Sequence, residues 1–462
     1  MTSRRVYVAL GSNLSTRALF ISKAISEMKK SIGNVVQISR LYQTAPQYVV
    51  DQPSFLNACV AIDTDLPAPE VLVRLKALET EIGRVASFRF GPRHIDLDLL
   101  LYGDEVFEVE TSCGALIVPH PRLMERDFVL QPLCDIVSED KCIPLPLSLL
   151  TERGWKSSFF EQLKSILFSS RSPAPSRVLA LRGGQCCWEL GQRTYVMGIL
   201  NITPDSFSDG GELLSLADVV ARAKMMEDAG CDCLDVGGES TRPGAVIVGE
   251  GEEMRRVLPA IEAIRTAGIM LPISIDTTRA SVARAAINAG ADLVNDISGG
   301  CFDDDMLRTV ADLGVPIILM DSRGSREQMH IKNPDENVVN AIVHRLTVRS
   351  DAAVHAGIPP WNIIFDPGLG FARTQKQNLD TLKGLASIRA GLKSGCLLIG
   401  PSRKKFVSVI SQAPNSRKSV IGSVAVCCAG VAGGADIVRV HDVPETVQAV
   451  RMADALWRSS SI

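Results

Sequence analysis

The sequence predicts two domains in series, an α+β ferredoxin-like N-terminal domain followed by an α/β TIM barrel, (β/α)8. Three observations carry this. After residue 190, eight short apolar runs recur at 195–201, 231–237, 272–277, 292–297, 315–321, 362–367, 396–401 and 436–442. Between them lie segments with helical spacing, such as LADVVARAKMMEDAG, RASVARAAINAG and PETVQAVRMADALW, and eight such units suit a closed parallel barrel. Before residue 165, strand-like runs at 5–10, 34–38, 56–62 and 95–101 are interleaved with helical spacing at 17–30 and 69–82, the mixed order of an α+β sandwich.

The boundary is read from SILFSSRSPAPSRVLALRGGQ at 165–185, where Ser, Pro and Arg crowd the chain and no helical period survives. It divides the protein into a first domain, 1–165, a linker, 166–177, and a barrel domain, 178–462. A hairpin around 178–194 is expected to plug the bottom of the barrel.

Composition narrows the function. A length of 462 residues suits two or three domains. A formal net charge of −3 argues against a general nucleic-acid binder. The longest uncharged run, Ser419–Ala435, is short for a membrane span and rich in Gly, so a packed helix is expected. The twelve cysteines form no CxxC and are expected as free thiols in a reducing compartment. The opening MTSRRVYVALGSN enters a strand pattern at once. The expected location is cytoplasmic, or the mitochondrial matrix if a transit peptide was removed.

In the barrel, each apolar run ends on polar residues: Asn201, Asp235, Asp276, Asn295 with Asp296, Asp321, Asp366, Ser402 to Lys404, and Arg439 with His441. Strand ends of a TIM barrel converge on one mouth, and the ends of the last two strands are its customary phosphate corner. Carboxylates and amides there hold a flat polar heterocycle by paired hydrogen bonds, and the cations hold a phosphate group.

Residues 196–211 (VMGILNITPDSFSDGG), Gly238-Glu239-Ser240-Thr241-Arg242-Pro243-Gly244, Asp366-Pro367-Gly368-x-Gly370-Phe371, Ser402-Arg403-Lys404 and Arg439-x-His441 together resemble dihydropteroate synthase over about residues 178–457. The resemblance implies condensation of 7,8-dihydropterin-6-ylmethyl diphosphate with 4-aminobenzoate and release of pyrophosphate. It implies that Asp276, Asn295, Asp366 and Lys404 hold the pterin. Asn201, Arg439 and His441 would hold the diphosphate, with Mg²⁺ near Asn201. Thr241, Arg242, Pro243, Phe371 and Ser402 would border the aminobenzoate. One departure is visible: where the family commonly has Met-His after strand five, this chain has Met320-Asp321.

In the first domain, strand alternation across His94–Leu100 sets Asp96 and Asp98 on one face and Ile95, Leu97 and Leu99 on the other. Two adjacent carboxylates repel unless a cation lies between them, and Mg²⁺ is the economical one. With Arg84, Arg89, Arg93, His120, Arg122 and Arg126 near in sequence, the set suits transfer of a polyphosphate group. No GxxxxGK[ST] occurs, and Gly11-Ser12-Asn13 is too weak to stand alone as a phosphate loop.

Val8-Ala9-Leu10-Gly11-Ser12-Asn13-Leu14, Tyr42-x-Thr44, Asp51-Gln52-Pro53-x-Phe55-Leu56-Asn57, Gly91-Pro92-Arg93, Asp96-x-Asp98 and Val118-Pro119-His120 resemble 6-hydroxymethyl-7,8-dihydropterin pyrophosphokinase over about residues 5–160. The resemblance implies diphosphate transfer from ATP to the pterin alcohol. Asp96 and Asp98 would bind Mg²⁺, and Arg84 and Arg93 would handle the phosphates. Glu79, Arg89, His120 and Arg126 would lie near ATP. Thr44, Phe55, Asn57 and Phe128 would line the pterin pocket. Phe90, Ala45 and Gln47 depart from common family residues.

Together the two resemblances imply a bifunctional folate-biosynthesis enzyme whose first domain makes what the second consumes, assembled as a homodimer or higher homo-oligomer through the barrel. Two other readings are weighed: a dihydropteroate synthase with a degenerate pterin-binding N-terminal module, and a pterin-dependent methyltransferase barrel. No nucleic-acid or membrane partner is expected.

Overall fold

The first unit is built on an antiparallel sheet with β1 (Arg4–Ser12) near its centre. In chain order follow α1 (Arg17–Ser31), β2 (Asn34–Ile38), β3 (Tyr42–Thr44), β4 (Phe55–Thr64), α2 (Ala68–Ile82) and β5 (Asp96–Tyr102). β5 and β4 flank β1, while β2 and β3 pair in turn with the far edge of β4. With the three-residue β3 as an insertion, this is the ferredoxin-like βαββαβ order predicted from the spacing. α1 buries Ala18, Ile21, Ala24, Ile25 and Met28, one stripe at helical spacing. α3 (Asp127–Ile136) packs Val129, Leu130 and Leu133 on Tyr7, Cys59 and Ala61 of the sheet. β6 (Phe107–Thr111) and β7 (Gly114–Val118) form a separate hairpin.

The computed structural model describes residues 3–85, 88, 91–137, 175–203, 215–240, 248–323 and 337–458. They fall into two units that divide between Glu189 and Leu190. Arg89, Thr241, Arg242 and Pro243 therefore lie outside the described residues, as does the expected linker up to residue 174.

The hairpin around 178–194 differs from expectation. β8 (Ser176–Leu181) and β9 (Cys186–Glu189) pair with each other, and β8 pairs with β3. The hairpin thus extends the sheet of the first unit instead of opening the barrel domain. Arg17 on α1 is the reason it sits there. Its guanidinium donates to Gly184 O at 2.8 Å and to Ser54 O at 2.8 Å, tying the hairpin's turn to the start of β4. A Pro- and Ser-rich stretch marks where regular structure stops, but not which side will take the next strand.

In the second unit, β10 (Tyr195–Asn201), β11 (Cys233–Gly237), β12 (Ile273–Asp276), β13 (Leu293–Asp296), β14 (Ile317–Met320), β15 (Ile363–Asp366), β16 (Cys396–Ile399) and β17 (Ile437–Val440) close a parallel barrel. Each lies within one of the eight predicted runs. Alternate residues such as Val196, Leu200, Val236, Ile275, Leu319, Phe365 and Val438 face outward and pack with the surrounding helices. Those between them, such as Met197, Ile199, Asp235 and Arg439, face the lumen, as the strand period of two requires. The uncharged run at 419–435 is a helix, Val420–Ala432.

Arg17→Ala is expected to destabilise the first unit by about 1–3 kcal/mol, because the partly buried carbonyls of Gly184 and Ser54 lose their donor. Thermal unfolding followed at Trp188, which lies buried on β9, measures it.

Candidate active sites

The first unit holds a cavity of about 340 Å³. Strand register builds its floor: Asn57 of β4 and Asp96 of β5 lie on either side of Gly11 of β1. A Cβ on Gly11 would come within 3.2 Å of Asn57 Oδ1, so the missing side chain keeps the floor open. Thr44, Phe55, Asn57 and Phe128 line one part, and Asn57 Nδ2 donates to Thr44 Oγ1 at 2.8 Å. Arg84, Arg93, Asp96, Asp98, His120 and Arg126 line the rest. The expected aromatic, amide and charged groups therefore share one cavity.

Charge in this cavity is nearly paired. Arg84 Nη1 donates to Asp96 Oδ1 at 2.8 Å and Arg93 Nη1 to Asp96 Oδ2 at 2.9 Å. Burial works against the Asp96 charge, but Arg93, Lys76 and Arg84 overcome it and hold the carboxyl below its usual range. Asp98 has looser partners, Arg126 at 3.7 Å and Lys76 at 3.8 Å. Burial pushes His120 down against the pull of Asp98. Its Nδ1 accepts from the Arg122 backbone N–H at 3.1 Å, so the neutral ring carries its proton on Nε2.

Glu79 sits elsewhere than expected. It is 3 % exposed and lies behind the wall, accepting from Lys76, Arg84 and the Leu97 N–H. It aims two cations and does not face the cavity itself. Asn13 also has a different part from the weak phosphate-loop reading. Its side chain accepts from Arg93 N at 2.8 Å and donates to Gln52 Oε1 at 3.0 Å and Pro53 O at 3.1 Å, pinning two loops of the cavity together. Lys76 was not singled out, although its place three residues before Glu79 on α2 puts both on one helix face. Two carboxylates on one strand face, one of them loosely paired, fit Mg²⁺, which commonly takes one or two carboxylates and completes its shell with phosphate and water oxygens. Among the described residues no group of three or more His, Cys, Asp or Glu could hold a metal unaided.

In the barrel, Arg439 is the hub. Its Nε donates to Asp235 Oδ2 at 2.6 Å and its Nη2 to Asp276 Oδ2 at 2.6 Å. Asn295 Nδ2 donates to Asp235 at 3.2 Å. Burial, with repulsion from Asp235, pushes Asp276 up to about 7 against the pull of Arg439. Burial also raises Asp366, whose Oδ1 accepts from Gly368 N at 2.7 Å. Lys404 is pushed down to about 8, by burial first and by Arg439 second. Its Nζ stands 4.0 Å over the Phe371 ring. Ser402 Oγ lies 3.1 Å from His441 Nδ1, and Asn201 ends β10 on the same lumen-facing alternation, with Gly237 as its neighbour.

Not every polar strand end joins this mouth. Asp296 follows the outward alternation of Val294 and caps its own loop, accepting from the N–H groups of Ser298 and Gly300. Asp321 follows Ile317 and Leu319 outward and binds Arg345 and Arg373. Strand five instead gives the lumen side Met320, which clusters with Ile297, Phe302 and Phe371. Arg403 likewise leaves the phosphate corner to bind Asp442 at 2.5 Å. Strand alternation already separates Met320 from Asp321, and reading it strictly would have found the apolar member.

Comparison with known proteins finds two families along the chain. The model of the pterin binding enzyme family matches residues 197–441, and that of 7,8-dihydro-6-hydroxymethylpterin-pyrophosphokinase matches residues 7–138. A mitochondrial folate synthesis bifunctional protein of Arabidopsis thaliana is 38 % identical over 99 % of this chain and 84 % of its own length. The chain belongs to the bifunctional folate-synthesis enzymes. The folic acid synthesis protein fol1 of Pneumocystis carinii is 40 % identical over 98 % of this chain, which spans 60 % of that longer relative. The crystal structure of a Plasmodium falciparum HPPK-DHPS triple mutant with pteroate shares the fold over 99 % of this chain and 96 % of its own, with a TM-score of 0.78 at 22 % identity.

This bifunctional folate-synthesis enzyme carries eleven free cysteines among its described residues, and no described helix is long and apolar enough to cross a membrane. Its lumen depends on Arg439. Arg439→Met leaves Asp235 and Asp276 buried without their shared cation and is expected to lower stability by about 3–5 kcal/mol near neutral pH. The sign with pH follows from Asp276. Its folded pKa is already raised and rises further without Arg439, so the protonated form is the stable one. Stability is retained below the ordinary carboxylate pKa and lost as pH rises through the folded value. Denaturant titration should find the deficit relative to wild type larger at pH 8 than at pH 5.

Proposed function

We propose that the first unit transfers diphosphate from ATP to 6-hydroxymethyl-7,8-dihydropterin, and that the barrel condenses the resulting pterin diphosphate with 4-aminobenzoate. The observation that carries this reading is a shared layout. Each unit sets a slot of amide, carboxylate and aromatic groups beside a cluster of cations, which suits a flat hydrogen-bonding ring carrying phosphates.

In the first unit, the pterin ring lies between Phe55 and Phe128 with its edge on Asn57 and Thr44. Its hydroxyl oxygen attacks the β-phosphorus of ATP and gives up its proton to solvent, the bond from the β-phosphorus to the oxygen shared with the α-phosphate breaks, and AMP leaves. Asp96 and Asp98 would hold the metal, and Arg84 and Arg93, which bind Asp96, would serve the phosphates. Mg²⁺, when bound, neutralises the polyphosphate and holds it in line. His120 offers its Nε2–H to phosphate oxygen, and Arg126 supplies a further positive charge. Glu79 acts from behind by aiming Arg84 and Lys76. The family role of Arg89 completes the ATP contacts.

In the barrel, Asp276 and Asp366 accept from the donor-rich edge of the pterin, and Asn295 and Lys404 serve its acceptors. At pH 7 Lys404 is still mostly protonated. Arg439 and His441 hold the diphosphate with Asn201, which offers a single amide oxygen and so would hold Mg²⁺ only together with diphosphate oxygens. The bond from methylene carbon to diphosphate oxygen breaks and the aromatic amine forms the new C–N bond. Pyrophosphate leaves and the amine proton is lost. The amine needs no strong base, so the protein's work is alignment and charge stabilisation. Ser402 and Phe371, with Thr241, Arg242 and Pro243 by family, border the aminobenzoate.

Supplying the full chain with pterin alcohol, ATP, Mg²⁺ and 4-aminobenzoate should yield dihydropteroate, AMP and pyrophosphate. Asp96→Ala is expected to reduce diphosphorylation by at least a thousandfold while condensation of supplied pterin diphosphate persists, and Lys404→Ala should show the reverse pattern. Methyl transfer without pyrophosphate release would overturn the barrel assignment.

Exposed apolar side chains on neighbouring helices bear on the assembly. On Val420–Ala432, Ile421 is 87 % exposed, and on Val443–Trp457, Met452, Leu456 and Trp457 are all more than half exposed. We propose a homodimer through these helices. Ile421→Glu should move the sedimentation coefficient toward that of a monomer; an unchanged coefficient would count against this face.

A further inference from the structure

Asp321 lies outside the lumen and yet bears on it. Its side chain has no exposed surface and takes both Arg345 and Arg373. Arg345 lies on the helix Val338–Ala356 that follows β14 and binds Asp321 at 2.6 and 2.9 Å. Arg373 lies in the loop after β15, is itself almost wholly buried, and binds Asp321 at 2.5 Å. Through its other nitrogen it donates to Gly368 O and, at 3.4 Å, to Phe371 O. The loop from Pro367 to Thr374 is therefore wound around one buried guanidinium.

That loop does not hold its shape by local preference. Gly368, Gly370 and Ala372 all have left-handed φ, at 69°, 81° and 48°, so three of five consecutive residues are in a region that side chains avoid. External contacts must fix it: Asp366 on Gly368 N, Asn378 on Gly370 N at 2.7 Å, and Arg373 on the carbonyls. The outcome is the position of Phe371, which lies beneath Lys404 and against Met320. A Cβ on Gly370 would come within 2.8 Å of Lys404 Cδ, so loop and lysine are in close contact.

We propose that Asp321 is a positioning residue for the condensation, acting through Arg373 to fix the loop that stations Phe371 and Lys404. The inference rests on the reading of the barrel given above. Arg345 is its built-in control, because it shares Asp321 but lies on a separate element, the helix Val338–Ala356.

The test compares Asp321→Asn with Arg345→Gln in the full chain, measuring condensation of supplied pterin diphosphate with 4-aminobenzoate and the melting temperature. Both variants should melt lower. Only D321N should raise the KM for pterin diphosphate, through Lys404, and that for 4-aminobenzoate, through Phe371, each by about tenfold, and it should add little to Phe371→Leu when the two are combined, because both act on the contact between Phe371 and Lys404. If D321N does not fold, Arg373→Lys takes its place, since it keeps the charge but loses the fork to the carbonyls. An unchanged KM in D321N, or an equal rise in R345Q, would overturn the positioning role and leave Asp321 a structural ion pair. Absence of condensation in the wild-type chain would instead sink the barrel reading itself.

Discussion

Arg439 held between Asp235 and Asp276 is the constraint around which the barrel mouth is arranged. Three charged groups meet there within hydrogen-bonding distance, Asp235 buried and Asp276 and Arg439 largely so, and each is tolerable only because of the others. The arrangement leaves Asp276 close to taking a proton and Lys404 close to losing one. A lumen poised in this way favours a ligand that brings its own donors for the carboxylates and its own negative charge for the arginine. A pterin diphosphate does both. The first unit uses the same device with the signs differently placed: Asp96 is shared by Arg84 and Arg93.

Both sites also depend on residues that face away from them. Glu79 aims Arg84 and Lys76 from the interior, Asn13 ties the loops at 52–53 and 91–93 together, and Asp321 braces the loop that carries Phe371. Such groups are buried and fully bonded, so a change in them is felt as misplacement of the groups they hold.

Much of this was legible in the sequence because strand period and strand ends are written locally. Eight apolar runs gave eight barrel strands, and Asp96-x-Asp98 put two carboxylates on one face. Where the reading fell short, the deciding contact was distant in sequence. Nothing near Asp321 announces Arg373, and nothing near Glu79 says that it points inward while Lys76 reaches the cavity. Asp296 and Asp321 were counted with the mouth because polar strand ends look alike until alternation is applied residue by residue. The hairpin at 176–189 was assigned to the wrong unit because its partner strand, Tyr42–Thr44, is a three-residue segment far upstream.

That hairpin bears on how the two halves can be separated. A cut placed in the compositional break before residue 176 would carry β8 and β9 away with the barrel and leave β3 as a bare edge. Unpaired strand edges are templates for association with other chains, and the barrel fragment would begin with two apolar strands lacking their sheet. The division between Glu189 and Leu190 keeps β8 and β9 on the same side as β3. In this chain the first half is completed by residues that compositional reading assigns to the second.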